Sequence, residues 1–179
     1  MMRYVLLLRG INVGGKNKVV MSKLKLLLQG LGYEQVTSYI NSGNLFFTSD
    51  RSQIVLQEEL VALFAEHYPF VAAFSLLNQE EYEQEVAHLP AWWQEDIARK
   101  DVLFYTDRSQ KALIEDWVKH LNLGEEVIHF GQTALFWGKC NEGSYLQTAY
   151  HKKLANQAFY KSLTVRNHKT FAKLAEFLK

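Results

Sequence analysis

Three glycines and three cations lie between Arg9 and Lys18, where the sequence reads RGINVGGKNK. Glycine adopts backbone conformations closed to other residues, so such a loop can turn several N–H groups toward one anion. The lysine and arginine side chains add positive charge. These residue types predict a site for a phosphate or a carboxylate. A Gly-rich connector with solvated cations explains the same residues equally well.

The segment from Gly10 to Asn17 also resembles a nucleotide-binding P-loop, G-x-x-x-x-G-K-[ST]. Asn17 stands where that loop has the Ser or Thr that holds Mg²⁺, and an amide is a poorer ligand for this cation. A P-loop also opens a helix in a parallel βαβ unit. Here three residues separate Asn17 from the first helical periodicity, so the sequence disfavours a nucleotide triphosphatase.

Two other polar stretches, residues 41–44 (NSGN) and 164–170 (TVRNHKT), combine turn-forming residues with hydrogen-bond donors. Functional sites concentrate on loops, and three such stretches that meet in space would form a pocket rich in donors and poor in carboxylates. Such a pocket favours a small anionic ligand. The predicted ligand-binding residues are Arg9, Asn12, Gly14, Gly15, Lys16, Asn17, Asn41, Ser42, Asn44, Arg166 and Asn167.

Structural explanations compete with this prediction. An Asn/Ser/Gly turn at residues 41–44 needs no ligand. Arg166 could form a buried ion pair, and Asn167 could cap the last helix. The sequence leaves both explanations open beside the functional one.

The remaining reactive side chains follow no catalytic or metal-binding pattern. Cys140 is the single cysteine and stands beside one cation, Lys139, which is typical of a free structural thiol. The six histidines are scattered without ligand spacing. We expect the acids between Glu80 and Glu85 to lie on a solvated helix face. The sequence identifies no catalytic residue, cofactor, metal or oligomeric state.

Composition indicates an ordinary globular chain of 179 residues with 48% hydrophobic and 22% charged residues. The net charge of +1 excludes a polycation, although charge is polarised along the chain. Residues 78–98 hold six acids and no Lys or Arg, whereas residues 151–179 hold seven Lys or Arg and one acid. One cysteine excludes an intramolecular disulfide, and no apolar run has signal-peptide or membrane-spanning length, so we expect a cytoplasmic protein without a membrane segment.

Hydrophobic periodicity predicts how the polar stretches are positioned. The first half has the order βαββαβ, which is typical of a ferredoxin-like fold. The predicted elements are strands near residues 4–8, 36–40, 45–48 and 70–76, with helices around residues 21–31 and 52–64. The long polar loop follows the first strand, and residues 41–44 form the turn of a hairpin.

The second half repeats part of this pattern as βαββα and ends in a helix around residues 171–178. It shows no obvious last strand. Gly131-Gln132 is predicted to form a type II′ hairpin turn, and Ser144 to cap a further helix. We therefore predict an α+β protein with a ferredoxin-like subdomain at residues 1–77 and a second α+β subdomain at residues 78–179, with a loop-lined cleft between them.

Three stretches together resemble the DUF1697 family of small bacterial proteins of unknown function. They are LLRGINVGGKNKV (residues 7–19), YINSGNLFF (residues 39–47) and TVRNHKT (residues 164–170). The resemblance extends over nearly the whole chain. It implies a two-part α+β fold with a ferredoxin-like half, and it implies no reaction.

Three functions follow as alternatives. The first is a binding protein or enzyme for a small anionic ligand. The second is an RNA or single-stranded nucleic-acid binding module, since a ferredoxin-like sheet can stack bases on exposed aromatic rings such as Phe46 or Phe47. The third is a protein–protein interaction domain without a small-molecule site.

Overall fold

Two four-stranded antiparallel sheets and six helices form the part of the chain that the computed structural model describes, residues 1–140 and 147–179. This confirms the predicted α+β class. The fold divides into two units, Met1–Tyr82 with Leu174–Lys179 and Glu83–Lys173. Each unit contains one sheet. The domain boundary predicted after residue 77 stays a prediction.

The strands of the first unit are β1 (Met2–Leu8), β2 (Glu34–Tyr39), β3 (Asn44–Ser49) and β4 (Phe74–Asn78). They form a sheet in the order β2-β3-β1-β4, and every pairing is antiparallel. β1 is buried from Tyr4 to Leu8 because a central strand is covered on both faces. This explains its unbroken apolar sequence. The β2–β3 hairpin turns at residues 40–43, as predicted.

The first two helices are α1 (Met21–Gly30) and α2 (Gln53–His67). α1 buries Leu24 and Leu28, which lie one helical turn apart on the predicted face. Ser52 caps α2, because its side-chain oxygen accepts a hydrogen bond from the backbone N–H of Val55 at 3.4 Å. Both helices therefore begin and pack as their sequences indicate.

The third helix, α3 (Gln79–Ala87), begins with the predicted capping box. The Asn78 side chain accepts from the backbone N–H of Glu81 at 2.8 Å, and the Glu81 carboxylate accepts from the N–H of Asn78 at 3.1 Å. Two N–H groups at the helix terminus are thereby satisfied reciprocally.

Both faces of the first sheet are covered within the first unit. Alternate β1 residues Tyr4, Leu6 and Leu8 join the core beneath α1 and α2. On the other face, the Phe46 ring stacks on Phe177 with ring centroids 4.7 Å apart. The C-terminal segment thus belongs to the first unit through apolar contacts with its sheet.

The strands of the second unit are β5 (Arg99–Tyr105), β6 (Val127–Phe130), β7 (Ala134–Lys139) and β8 (Leu163–Asn167), in the order β6-β7-β5-β8. The prediction that this half lacks a last strand is wrong. β8 pairs antiparallel with β5, so that Leu163 lies opposite Tyr105 and Asn167 opposite Asp101. Residues 164–167 are therefore strand backbone, whereas the sequence suggested a loop.

The helices that follow are α4 (Lys111–Lys119), α5 (Ala149–Lys152) and α6 (His168–Phe177). α4 buries Ile114 and Val118, whereas the neighbouring apolar residue Leu113 is 56% exposed. Thr148 caps α5 through a hydrogen bond from the N–H of His151, 3.2 Å long. The predicted cap Ser144 lies outside the described residues.

The hairpin between β6 and β7 differs from the predicted type II′ turn. The backbone N–H of Gly131 donates to the carbonyl of Ala134 at 2.9 Å, so Gln132 and Thr133 form the turn. Gly131 also does not adopt the positive φ that a type II′ turn requires at its first central position. The glycine has a steric reason instead, because a Cβ atom at Gly131 would collide with the Glu85 carboxylate.

Candidate anion-binding loop

The glycine-rich loop after β1 folds as a miniature β-hairpin. Val13 and Lys16 form an antiparallel bridge, and the N–H of Lys16 donates to the carbonyl of Val13 at 3.0 Å. Gly14 and Gly15 are the two central residues of this turn, with φ of 57° and 75°. Positive φ at both positions defines a type I′ turn, where glycine is strongly preferred. The hairpin therefore accounts for both glycines.

The side chain of Asn12 fastens the base of this hairpin. Its amide nitrogen donates to the carbonyls of Val19 at 3.0 Å and Asn41 at 2.8 Å, and its oxygen accepts from the N–H of Val19 at 2.8 Å. One amide thus joins the two ends of the loop and connects them to the β2–β3 turn. Asn12 also has a φ of 53°, a conformation that Asn tolerates better than most residues.

Asn17 has a similar architectural contact. Its amide nitrogen donates to the carbonyl of Gly10 at 3.0 Å, and its backbone carbonyl accepts from the N–H of Asn12 at 3.1 Å. Both predicted ligand-binding asparagines therefore hold loop backbone. Residues 12–17 are consequently a hydrogen-bonded unit with a defined shape.

The turn at residues 41–44 lies against the same loop. The buried Asn44 amide donates to the carbonyl of Tyr39 at 3.0 Å and to the Ser42 hydroxyl at 3.1 Å. Gly43 has a φ of 88°, and a Cβ there would lie 2.7 Å from the Leu8 Cβ. The structure thus brings two of the three predicted stretches together, through the Asn12–Asn41 hydrogen bond.

The charged side chains of this loop differ in exposure. Lys16 and Lys18 are exposed, as are all residues from Val13 to Lys18. Arg9 is partly buried where its backbone N–H donates to the carbonyl of Ala73 at 3.2 Å. Ile11 and Val19, 2% and 3% exposed, anchor the loop in the core on either side of the hairpin. The result is an anchored loop that presents two ammonium groups to solvent.

This geometry lacks the context of a P-loop. α1 begins at Met21, five residues after Lys16, and β1 is flanked by antiparallel neighbours β3 and β4. A P-loop lysine lies at the start of its helix, beside a strand in a parallel sheet. The loop therefore does not hold nucleotide phosphates in the P-loop manner.

The third predicted stretch lies on the second unit. Arg166 is 7% exposed, and its Nη1 donates to the Thr164 hydroxyl and to the Val165 carbonyl, both at 2.9 Å. Burial lowers the pKa of Arg166 to about 10. The Asn167 side chain accepts from the N–H of Thr170 at 2.9 Å, which confirms the predicted cap of α6.

The first part of the chain matches a known protein family. The profile described as "Protein of unknown function (DUF1697)" matches residues 1–136 of the chain. The chain belongs to the DUF1697 family. Its first two motif stretches, which form the hairpin loop and the β2–β3 turn, fall inside the matched range.

A solved structure resembles this DUF1697 protein over its whole length. It is described as the conserved bacterial protein SP0830 from Streptococcus pneumoniae, is 54% identical in sequence, and superposes with a TM-score of 0.95 over 99% of both chains. No curated protein matches the chain. The relatives thus establish the family and the fold and name no reaction.

Two further polar contacts of the DUF1697 chain were not predicted. The carboxylate of Glu85, predicted on a solvated face, is 2% exposed and accepts hydrogen bonds from Thr133. Lys139 is 1% exposed and forms an ion pair of 3.0 Å with Asp101. Its ammonium also lies 3.4 Å from the centre of the Tyr150 ring. Gly138 and Cys140, the sequence neighbours of Lys139, gave no indication that this lysine would be buried.

The aromatic pair of β3 is not available for base stacking. Phe46 and Phe47 are both fully buried. Phe46 stacks on Phe177, and Phe47 stacks on Tyr33 with ring centroids 4.4 Å apart. Stacking platforms for nucleic acid need exposed rings, so this sheet does not offer one through these two residues.

Metal and thiol chemistry gain no support from the described residues. Among residues 1–140 and 147–179 there is no group of three His, Cys, Asp or Glu side chains that could hold a metal ion. The exposed Cys140 lies with its sulfur 3.0 Å from the carbonyl of Glu125. The same ranges contain no helix long and apolar enough to cross a membrane.

Proposed function

We propose that this DUF1697 protein binds a small anionic ligand, bearing a phosphate or a carboxylate, at the hairpin loop after β1. The observation that carries the proposal is that Lys16 and Lys18 are exposed on a loop whose base is fixed by Asn12. Binding residues are often found on loops that a rigid scaffold holds in position. A fixed loop presents its charges without a large ordering cost on binding.

The ligand would be small and polar in this proposal. An ammonium group is a strongly hydrated point charge that suits a phosphate or carboxylate. The side chain of Arg9, at the start of the loop, would supply the two-pronged contact that planar guanidinium groups make with such groups. The assignment of Arg166 and Asn167 to the same ligand stays a prediction, as does a ferredoxin-like topology for the first unit.

Titration calorimetry of the full chain against inorganic phosphate, glucose 6-phosphate and AMP tests the proposal. We expect saturable binding that weakens with added salt, and Lys16→Gln should weaken it by about three- to ten-fold, as for loss of one exposed charge contact. Lys25→Gln replaces a lysine of α1 that lies outside the hairpin loop, and this control should change nothing. Equal affinities of the two variants for a ligand would contradict the proposal. So would the absence of saturable binding for all three ligands.

A further inference from the structure

A groove lies beside α1 on the first unit and begins at Lys18, at the end of the hairpin loop. Its volume is about 630 Å³, within the range of pockets that hold small organic ligands. Val20, Leu26, Leu27 and Tyr68 contribute apolar or aromatic lining. Lys18, Lys23 and His67 complete the lining. The groove therefore combines an apolar wall with a cationic edge.

The apolar wall consists in part of side chains that the fold leaves uncovered. Leu26 is 66% exposed and Val20 is 47% exposed. Leu24 and Leu28 face the core from the same helix, so Leu26, two residues from each, lies on the opposite side. Both side chains line the same groove, so one hydrocarbon ligand could cover them together.

The positive charge of this edge favours a negatively charged ligand. Lys18 and Lys23 are both exposed and flank the start of α1. Val20, which precedes the helix, has no side-chain atom that can cap it, and the first turn from Met21 contains no acidic residue. The positive N-terminal end of the helix dipole adds to the positive potential of the lysines.

One carboxylate lies near the groove. Glu66 Oε2 is 3.8 Å from Nε2 of His67, on the side of the groove formed by α2. Glu66 itself does not line the groove. Glu66 offsets positive charge at His67 but not the charges of Lys18 and Lys23. The edge nearest α1 therefore stays positive.

We infer that this groove binds an amphipathic organic anion, a phosphate monoester or carboxylate joined to a hydrocarbon body. The anionic group lies between Lys18 and Lys23 at the start of α1. The hydrocarbon lies along Val20, Leu26 and Leu27, where it removes exposed apolar surface from water. This goes beyond the small polar anion proposed for the hairpin, because it adds an apolar part to the ligand and extends from Lys18, which both sites share, along α1.

Calorimetry of the full chain with decyl phosphate, below its micelle concentration, tests the inference. The two parts of this probe, inorganic phosphate and decanol, are titrated separately. We expect decyl phosphate to bind at least about ten-fold more tightly than either part, since charge contacts and apolar burial act together. Leu26→Ser should weaken decyl phosphate about five-fold, and Lys23→Gln by a similar factor with a reduced dependence on salt.

Matched variants separate the groove from other surfaces. Leu113→Ser replaces an exposed leucine of α4, and Lys25→Gln replaces a lysine of α1 that does not line the groove. Neither should affect decyl phosphate binding. Leu26 is exposed, so we expect thermal unfolding followed by circular dichroism to be unchanged by Leu26→Ser, and a change in affinity then reports on the groove.

The two proposals fail separately in these experiments. Lys16→Gln should leave the tighter decyl phosphate site unchanged, because apolar burial in the groove distinguishes that site, whereas Leu26→Ser should leave inorganic phosphate binding at the hairpin unchanged. Decanol that binds as tightly as decyl phosphate would overturn the inference, as would control variants that match the groove variants. Decyl phosphate that binds no more tightly than inorganic phosphate would overturn it as well, and would leave the hairpin proposal standing.

Discussion

The carboxylate of Glu85 accepts hydrogen bonds from both the backbone N–H and the hydroxyl of Thr133. The two residues are 48 positions apart in the chain, and both are buried. The contact joins α3 to the turn before β7, and Gly131 leaves the space that the carboxylate occupies. A buried carboxylate is tolerated here because donors of fixed position replace the water that it loses.

Replacement of this carboxylate should destabilise the protein. Glu85→Ala leaves the N–H and hydroxyl of Thr133 buried without their acceptor, and we expect a loss of about 3 kcal/mol in the free energy of unfolding. Urea denaturation measures it. Glu80→Ala, an exposed acid of the same helix, should cost less than about 0.5 kcal/mol. Similar losses for the two variants would show that Glu85 contributes no more than a surface acid.

The ion pair of Lys139 and Asp101 leads to a second prediction, on single against double substitution. Lys139→Met should cost about 3–5 kcal/mol, because Asp101 is then buried without its partner. The double variant Lys139→Met with Asp101→Leu should recover most of that loss, since neither charge remains to be desolvated. Denaturant unfolding of the four proteins gives the coupling free energy. A double variant as unstable as the sum of the single variants would refute the pairing.

The sequence predicted those elements whose apolar residues follow one period. α1, α2 and α6 bury side chains at helical spacing, and β1 buries an unbroken apolar run. The positions of these four elements were confirmed. α4 shows the limit of this argument. Leu113 and Ile114 each begin a series of apolar residues four apart, and only the sheet beneath the helix determines which series is buried.

β8 was missed for a different reason. Its residues Thr164 and Arg166 are polar and yet buried, so the strand has no apolar alternation. Pairing with β5 and the contacts of Arg166 Nη1 satisfy these groups, and both depend on residues distant in sequence or on backbone shape. Tertiary context thus outweighed local pattern.

Asn12 shows why the candidate site was only partly predictable. The sequence identified Asn12 as a residue with hydrogen-bond donors in a glycine-rich loop. It could not indicate that the acceptors are the carbonyls of Val19 and Asn41, because the second of these is 29 positions away. Lys16 and Lys18 of that loop are exposed, and their role in binding stays a prediction.

A third prediction concerns Asn12 itself. Asn12→Ala removes three hydrogen bonds, two of them partly buried, and we expect it to destabilise the protein by about 2–3 kcal/mol. Amide hydrogen exchange should accelerate at Val19, whose N–H loses its acceptor. Asn17→Ala, which removes one exposed hydrogen bond to Gly10, is the control and should cost about 0.5–1 kcal/mol. Unchanged exchange at Val19 would contradict the assigned role.

The position of Gly43 gives a fourth prediction. Gly43→Ala places a methyl group 2.7 Å from the Leu8 Cβ, and the φ of 88° is unfavourable for alanine. We expect a loss of about 2–4 kcal/mol in the free energy of unfolding, measured by urea denaturation. Gly30→Ala, where an added Cβ meets nothing within 4 Å and the residue ends α1, should be neutral or stabilising. Equal effects of the two substitutions would contradict the close approach at Leu8.

A fifth prediction concerns acid pH and His168, the first residue of α6. Burial lowers the pKa of His168 below its ordinary value of 6.5, and the positive charge of Lys100 lowers it further. The unfolded chain therefore binds a proton more readily than the folded protein does. As pH falls from 6.5 through the lower folded pKa, the unfolded state gains protons first and stability decreases.

Urea denaturation at about pH 8 and about pH 5 measures this dependence. His168→Gln should lose less stability than the wild type between the two values, because it has no proton to gain at this position. The comparison at the higher pH, where the histidine is neutral in both states, isolates the packing cost of the substitution. An NMR titration of the folded protein that places the pKa of His168 above 6.5 would contradict the assignment, because burial and the charge of Lys100 would then not outweigh the interactions that favour the protonated ring.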